Sequence, residues 1–227
     1  MGHREAKDAL YDGFAGVAKA LANGRRAELV DVLEQGPRHV EELAGEIDQS
    51  IANTSFHLRT LAAAGLVTTE RVGSRVYYRL ASERVAELWG AIRDVAAAHS
   101  SRLDALARAY VGDREGIEEI GRQELVERLF RGEVLVIDVR PRAEYEAGHI
   151  EGALSIPVTE LPGAIGSLPP DVGIVAYCRG PYCVFADEAV RHLTAAGRSS
   201  FRLEGGFPEW RRHGYPVAAG RARPAER

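Results

Sequence analysis

The sequence predicts a two-domain protein, a mainly α N-terminal half followed by an α/β C-terminal half. Three observations carry this. A length of 227 residues accommodates two domains of about 100 residues each. Up to about Val111 the apolar pattern is helical with one hairpin interruption, and from about Ile117 short β-rich runs alternate with helical ones. Between them "VGDREGIEE" combines two glycines and several charges with little apolar content, as a linker does. The expected boundaries are residues 1–112, a linker at 113–116, a second domain at 117–220 and a frayed tail at 221–227.

Composition narrows the class. The chain is 45% hydrophobic and 27% charged, with a formal net charge of −4. That balance excludes a generally basic nucleic-acid coat but permits a local basic patch. No apolar stretch approaches the roughly 20 residues that span a bilayer, and "MGHREAKDAL" lacks the apolar core of a secretory signal. With only two cysteines there is no disulfide scaffold, so a reducing, cytoplasmic setting is expected. No cofactor and no membrane partner are expected.

In the first half, "NGRRAELVDVLEQG" places Leu29, Val30 and Leu33 on one helical face and stops at Gly36. "VEELAGEI" is a second, short helix. Ile51 to Ala64 is a third, with Leu58 and Leu61 inward and Gly65 at its C-terminal cap. Two β-prone arms, Leu66–Arg71 and Arg75–Leu80, then flank a Gly73-Ser74 turn. Helix, short helix, helix and hairpin in this order make a winged helix-turn-helix, whose third helix enters a DNA major groove. Asn53, Thr54, Ser55, His57 and Arg59 are expected on its outward face, where such groups hydrogen-bond base edges or phosphates. Arg71, Arg75 and Arg79 on the wing suit phosphates beside the groove.

The stretch "ALANGRRAELVDVLEQGPRHVEELAGEI", with "HLRTLAAAGLV" and "GSRVYYRL", resembles the ArsR family of bacterial repressors over about residues 10–110. The resemblance implies a homodimer on a palindromic double-stranded operator, released by an inducer. Ser82 to Val111 reads as one long helix with Val85, Leu88, Trp89, Ile92, Val95, His99, Leu103, Leu106 and Tyr110 spaced by three and four. A stripe that long needs cover from a partner helix. Metal-sensing family members carry paired cysteines or His/Asp ligands. This half has no cysteine, and Asp94, His99 and Asp104 do not share a face, so no metal site is expected.

In the second half "VLVIDVR", Val134 to Arg140, is a nearly continuous apolar run, as a buried parallel strand is. "GALSIP", "GIVAYC" and "SFRLEGG" are further strands, with helices around Gln123–Phe130, Val184–Ala195 and Phe207–His213. This alternation makes an α/β layered sheet, whose chemistry sits at the carboxyl ends of strands. Both cysteines lie at such an end, in "IVAYCRGPYCVFADEAV". Four readings are open: a disulfide staple, half a metal site, a nucleophile with a partner, or core filler. A loop curling into a helix N-terminus aims backbone N–H groups inward and stabilises a thiolate. Cys178 is therefore expected to be the more acidic and reactive thiol, with Arg179 adding positive charge.

"VIDVRPRAEYEAGHIEGALSIPVTEL", "YCRGPYC" and "LEGGFPEWRRHGYPV" resemble, in order, the rhodanese domain over about residues 117–218. The resemblance implies sulfur transfer through a persulfide on the loop cysteine, here Cys178. Asp138, Arg140 and His149 match the framework block and are read as structural hydrogen-bonders. Cys183 stands where the family commonly has a loop-closing cation, which weakens the case for efficient thiosulfate turnover. Related phosphatases and arsenate reductases need an arginine at position 184, which is valine here. Cys183 is either a small apolar residue at the helix start or a thiol that captures a Cys178 persulfide. The expected function is a dimeric DNA-binding repressor whose second domain senses or transfers sulfur from a sulfane-sulfur donor. The alternatives are a sulfurtransferase that uses the first domain to dimerise or localise, and a repressor responding to arsenic or another thiophilic metal.

Overall fold

The computed structural model describes residues 2–220; the expected tail at 221–227 lies outside the described residues. The chain divides into two units, Met1–Ala98 and His99–Arg227. The stretch expected as a linker thus groups with the second unit.

The first unit opens with α1 (Gly2–Leu21) and α2 (Gly24–Glu34), the latter capped by the Asn23 side chain on the Arg26 N–H. A two-residue strand β1 (Arg38–His39) leads into α3 (Val40–Glu46), where His39 and Glu42 form a reciprocal capping box. Ser50 caps α4 (Ile51–Ala63), and Gly65 at φ 72° takes the chain out of the helix into the wing. The wing strands β2 (Val67–Val72) and β3 (Arg75–Leu80) pair antiparallel, and β1 adds to the free edge of β3. Leu29, Val30, Leu33, Leu43, Ile47, Leu58 and Leu61 form one core, so the helical periodicity found its partners.

The expected single helix from Ser82 to Val111 is two: α5 (Glu83–His99) and α6 (Ser101–Val111). Ser100 sits extended between them and its hydroxyl accepts the Leu103 N–H at 3.3 Å. A serine that can satisfy a new helix's first N–H groups starts a helix as readily as it continues one. On α5, Val85 and Trp89 face the unit's own core, and Trp89 Nε1 donates to Asp31 of α2 at 2.7 Å. Leu88, Ile92 and Val95 remain exposed, as do Leu10, Tyr11 and Phe14 of α1.

The second unit continues from α6 with β4 (Glu119–Ile120), α7 (Arg122–Phe130), β5 (Val134–Asp138), α8 (Arg142–Ala147), β6 (His149–Ile150) and β7 (Leu154–Ser155). It then runs through α9 (Leu161–Ala164), β8 (Gly173–Tyr177), α10 (Phe185–Ala195), β9 (Ser200–Leu203), α11 (Phe207–Arg212) and β10 (Val217–Ala218). Five strands form a parallel sheet in the order β4-β9-β8-β5-β7. The two-residue alternation of β8 sends Ile174 and Ala176 to a core shared with Ala189, Val190 and Leu193 of α10. Val175 and Tyr177 point to the opposite core, with Leu125 of α7 and Phe207 and Trp210 of α11. Cys178 follows in phase with Ile174 and Ala176, beneath α10. No helix among the described residues is long and apolar enough to cross a membrane.

Candidate functional site

On the first unit the helix-turn-helix presents a short polar face. Asn53 and Arg59 of α4 are exposed, while Ser55 and His57 are half-buried. Thr54 corrects the expectation. It is fully enclosed, and its hydroxyl donates to the Ser50 carbonyl at 3.0 Å. One position out of phase on a helix turns a side chain by about 100°, which moves Thr54 from the groove face to the core. Phe56 and Ile51 take the exposed places instead, at 57% and 51% accessibility. The sequence reading missed both, because it sought polar groups on a face where apolar ones can also meet a thymine methyl. Arg71 and Arg75 are exposed at the wing tip; Arg71 Nε donates to the Gly73 carbonyl at 3.3 Å. Arg79 lies across the ladder, 3.8 Å from Glu70.

On the second unit both thiols sit where β8 ends and α10 begins, and both are unbridged. The first turn of α10 has no capping side chain. Its exposed donors are met by sulfur: the Phe185 N–H stabilises Cys183 and the Ala186 N–H stabilises Cys178. The loop turns tightly, with the Cys183 N–H on the Gly180 carbonyl at 3.2 Å. Cys178 Sγ lies 3.6 Å from the Cys183 carbonyl oxygen. From below, the Phe207 N–H donates to the Cys178 carbonyl, and a Cβ on Gly206 would fall 2.4 Å from the Gly180 nitrogen. Position 206 is therefore glycine because loop backbone occupies the space of any side chain.

The thiol electrostatics reverse the expected order. Cys178 is fully buried, and desolvation pushes its pKa well above the ordinary value, with the neighbouring Cys183 adding to the rise. Cys183 is half-buried and lowered to about 7, chiefly by the hydrogen bond it receives from Cys178 and then by the Phe185 and Arg179 N–H groups. The helix terminus does stabilise a thiolate, but burial decides which sulfur carries it.

Arg179 does not stand over the thiols as a free cation. Its guanidinium makes a bidentate pair with the buried Glu144 of α8, with Nε at 3.0 and 3.1 Å from the two oxygens. The loop's cation comes from elsewhere. Arg202 on β9 is buried, donates to the Gly180 and Pro181 carbonyls at 3.3 Å, and favours the charged form of Cys178. Its Nε pairs with the buried Asp187 of α10 at 2.7 Å, and Arg114, beyond α6, takes the other Asp187 oxygen at 2.9 Å. Arg114 Nη2 also donates to the Pro181 carbonyl at 2.7 Å. Glu144, Arg202, Asp187 and Arg114 were all missed in the sequence: Asp187 stands only four residues past Cys183, but the other three lie well away from it along the chain.

Asp138, Arg140 and His149 form a buried framework below the carboxyl edge of the sheet. Asp138 accepts from the Arg140 backbone, from its guanidinium and, at 2.6 Å, from the Tyr177 hydroxyl. Arg140 also donates to the Gly148 carbonyl at 2.7 Å. His149 stacks on Tyr145 with ring centres 3.6 Å apart, its Nδ1 on the Tyr145 carbonyl.

Known proteins share both halves. A family model described as a rhodanese-like domain matches residues 121–213, and one described as a helix-turn-helix domain matches residues 21–70. The HTH-type transcriptional regulator Rv0324 of Mycobacterium tuberculosis is 45% identical over 219 residues, 96% of this chain and 96% of its own. A sulfurtransferase of Allochromatium vinosum is 34% identical over 105 residues, 45% of this chain and 96% of its own. Among solved structures, the homodimeric winged helix-turn-helix DNA-binding domain of Mb0332 from Mycobacterium bovis is 44% identical. It covers 42% of this chain and 89% of that one, with a TM-score of 0.41. Similarity across nearly the whole length of a regulator, with both domain matches in order, settles the assignment: the chain belongs to the helix-turn-helix transcriptional regulators, and its C-terminal half is a rhodanese-like domain.

Proposed function

We propose that this regulator is a dimeric repressor whose operator affinity changes when the Cys178–Cys183 pair reacts with sulfane sulfur. Exposed Leu10, Tyr11 and Phe14 on α1, with Leu88, Ile92 and Val95 on α5, support dimerisation, because a partner copy would remove this apolar area from water. Asn53 and Arg59 supply polar readout on α4, and Arg75 a phosphate contact on the wing.

The observation that carries the regulatory reading is Arg114. It holds the thiol loop through the Pro181 carbonyl and Asp187, and it stands three residues beyond the end of α6. A change of loop shape on oxidation pulls on that guanidinium and hence on the helix leading back to the DNA-binding unit. A useful switch needs a coupling of only about 1–3 kcal/mol. The test is a DNA-binding titration of the full chain before and after sodium tetrasulfide, with Cys178→Ser and Arg114→Ala in parallel. Wild type is expected to lose operator affinity by about 5–150-fold. Arg114→Ala should take up sulfur but shift less. Unchanged wild-type affinity after complete sulfur uptake would sink the reading.

Arg202 favours a second reading, turnover as a sulfurtransferase. It restores beneath the loop the cation that Cys183 displaces from the loop itself, and the Allochromatium relative is named for that activity. Thiocyanate formation from thiosulfate and cyanide, or hydrogen sulfide release from thiosulfate with a dithiol reductant, with Cys178→Ser as control, tests it.

A further inference from the structure

We propose that Cys183, not Cys178, is the first acceptor of sulfane sulfur, and that Cys178 is the buried resolving thiol. The inference deepens the sulfur-responsive reading above and rests on it.

Access sets the order. Cys178 is closed off from solvent under α10, within a cluster that includes Ile137, Ile174, Ala186 and Leu193. Cys183, packed against the same cluster, is only half-buried. The two residues before it, Pro181 and Tyr182, line a cavity of about 660 Å³ whose other wall carries Arg108 and Arg114. The Arg108 guanidinium has no hydrogen bond or ion pair among the described residues. Asp113 also lines this cavity, with its carboxylate turned onto the Glu115 N–H at 2.9 Å. Two guanidinium groups on a largely apolar wall suit a soft, anionic donor such as an inorganic polysulfide. A donor held there lies against Pro181 and Tyr182, the two loop residues that precede Cys183.

Charge distribution agrees with access. The thiolate is the nucleophile in sulfur transfer. Burial pushes the enclosed Cys178 up, and the hydrogen bond from Cys178 holds Cys183 down to about 7, so near neutral pH Cys183 is the sulfur with a substantial thiolate fraction.

Two balanced steps follow. The Cys183 thiolate attacks the protonated terminal sulfur of a hydropolysulfide. A sulfur–sulfur bond forms to Cys183 Sγ, the donor's terminal sulfur–sulfur bond breaks, and its electron pair leaves with a polysulfide dianion one sulfur shorter. Cys178 Sγ then attacks Cys183 Sγ, forming the Cys178–Cys183 disulfide and expelling the outer sulfur as hydrosulfide, which takes the Cys178 proton and departs as hydrogen sulfide. Two thiols are oxidised by two electrons and one sulfane sulfur is reduced to sulfide.

The experiment is a quenched time course of the full chain with sodium tetrasulfide, with the added sulfur located by peptide mass mapping. Wild type should show its first added sulfur on Cys183, followed by the disulfide and an equivalent of hydrogen sulfide. Cys178→Ala should stop at a stable Cys183 persulfide, formed more slowly than in wild type near neutral pH because the hydrogen bond that lowers Cys183 is gone. Cys183→Ser should take up sulfur at least about tenfold more slowly, because only the buried, protonated thiol remains. Alanine rather than serine is used at position 178 because the neighbours are apolar, and the wild-type time course locates the first sulfur even if that variant fails to fold. First addition at Cys178, or rapid uptake by Cys183→Ser, overturns the order. No uptake by wild type overturns both the order and the sulfur reading. Uptake at Cys183 without any change in operator affinity leaves the order standing and removes only the regulatory reading.

Discussion

Arg202 Nε lies 2.7 Å from Asp187 Oδ1, joining β9 to the first turn of α10 beneath the cysteine loop, with the two side chains 2% and 0% exposed. Asp187 also takes Arg114, so one enclosed carboxylate holds two guanidinium groups, and both of those hold loop carbonyls. The shape of the loop therefore depends on charges contributed by three distant parts of the chain.

Removing that carboxylate leaves the buried Arg202 with only the part-exposed Glu119, 2.9 Å from its Nη1, as counter-charge, and breaking a buried pair typically costs about 3–5 kcal/mol. Asp187→Ala is accordingly expected to lower urea-unfolding stability of the second unit by an amount in that range. It should also slow sulfur uptake, since the loop loses its anchors. A melting profile indistinguishable from wild type would show that the pair contributes nothing net.

The two thiols should separate across pH. Cys183 is lowered to about 7, so its thiolate fraction, and with it the alkylation rate, rises through that pH, levels off above it and falls in the acidic direction. Cys178 is raised by burial, so it stays protonated and unlabelled over the same range while the protein is folded. Iodoacetamide labelling between about pH 5 and 9, on either side of the Cys183 value and reaching the ordinary thiol range, with the labelled peptides identified by mass, checks this. Earlier labelling of Cys178 would restore the order expected from the sequence.

Individual side chains on the DNA-binding unit should fall into three kinds. Arg59→Ala weakens operator binding selectively, while Arg75→Ala weakens all DNA roughly equally and reduces the salt slope by about one. Thr54→Val removes a hydroxyl that only meets the Ser50 carbonyl, so it changes stability by about 1 kcal/mol and leaves DNA affinity intact. Anisotropy titrations of operator and random duplexes across salt, paired with melts, distinguish the three. A large operator-specific loss in Thr54→Val would contradict its inward position.

Much of this protein was legible from local pattern alone. The three-and-four spacing of Leu29, Val30, Leu33, Leu58 and Leu61, the Gly73 turn and the apolar run from Val134 each named an element and its inward face, because helix and strand periods are local properties of the backbone. The position of both cysteines at the end of a strand and the start of a helix was legible for the same reason. The break at Ser100 was also written locally, in a serine able to cap α6, but the longer hydrophobic stripe masked it. Tertiary structure alone decided the rest. Which thiol is acidic depends on how deeply each is enclosed, and the loop's cations depend on Arg202 and Arg114 meeting Asp187 across the sheet. Burial and charge pairing arise between segments brought together only by folding, so spacing along the chain carries no trace of them.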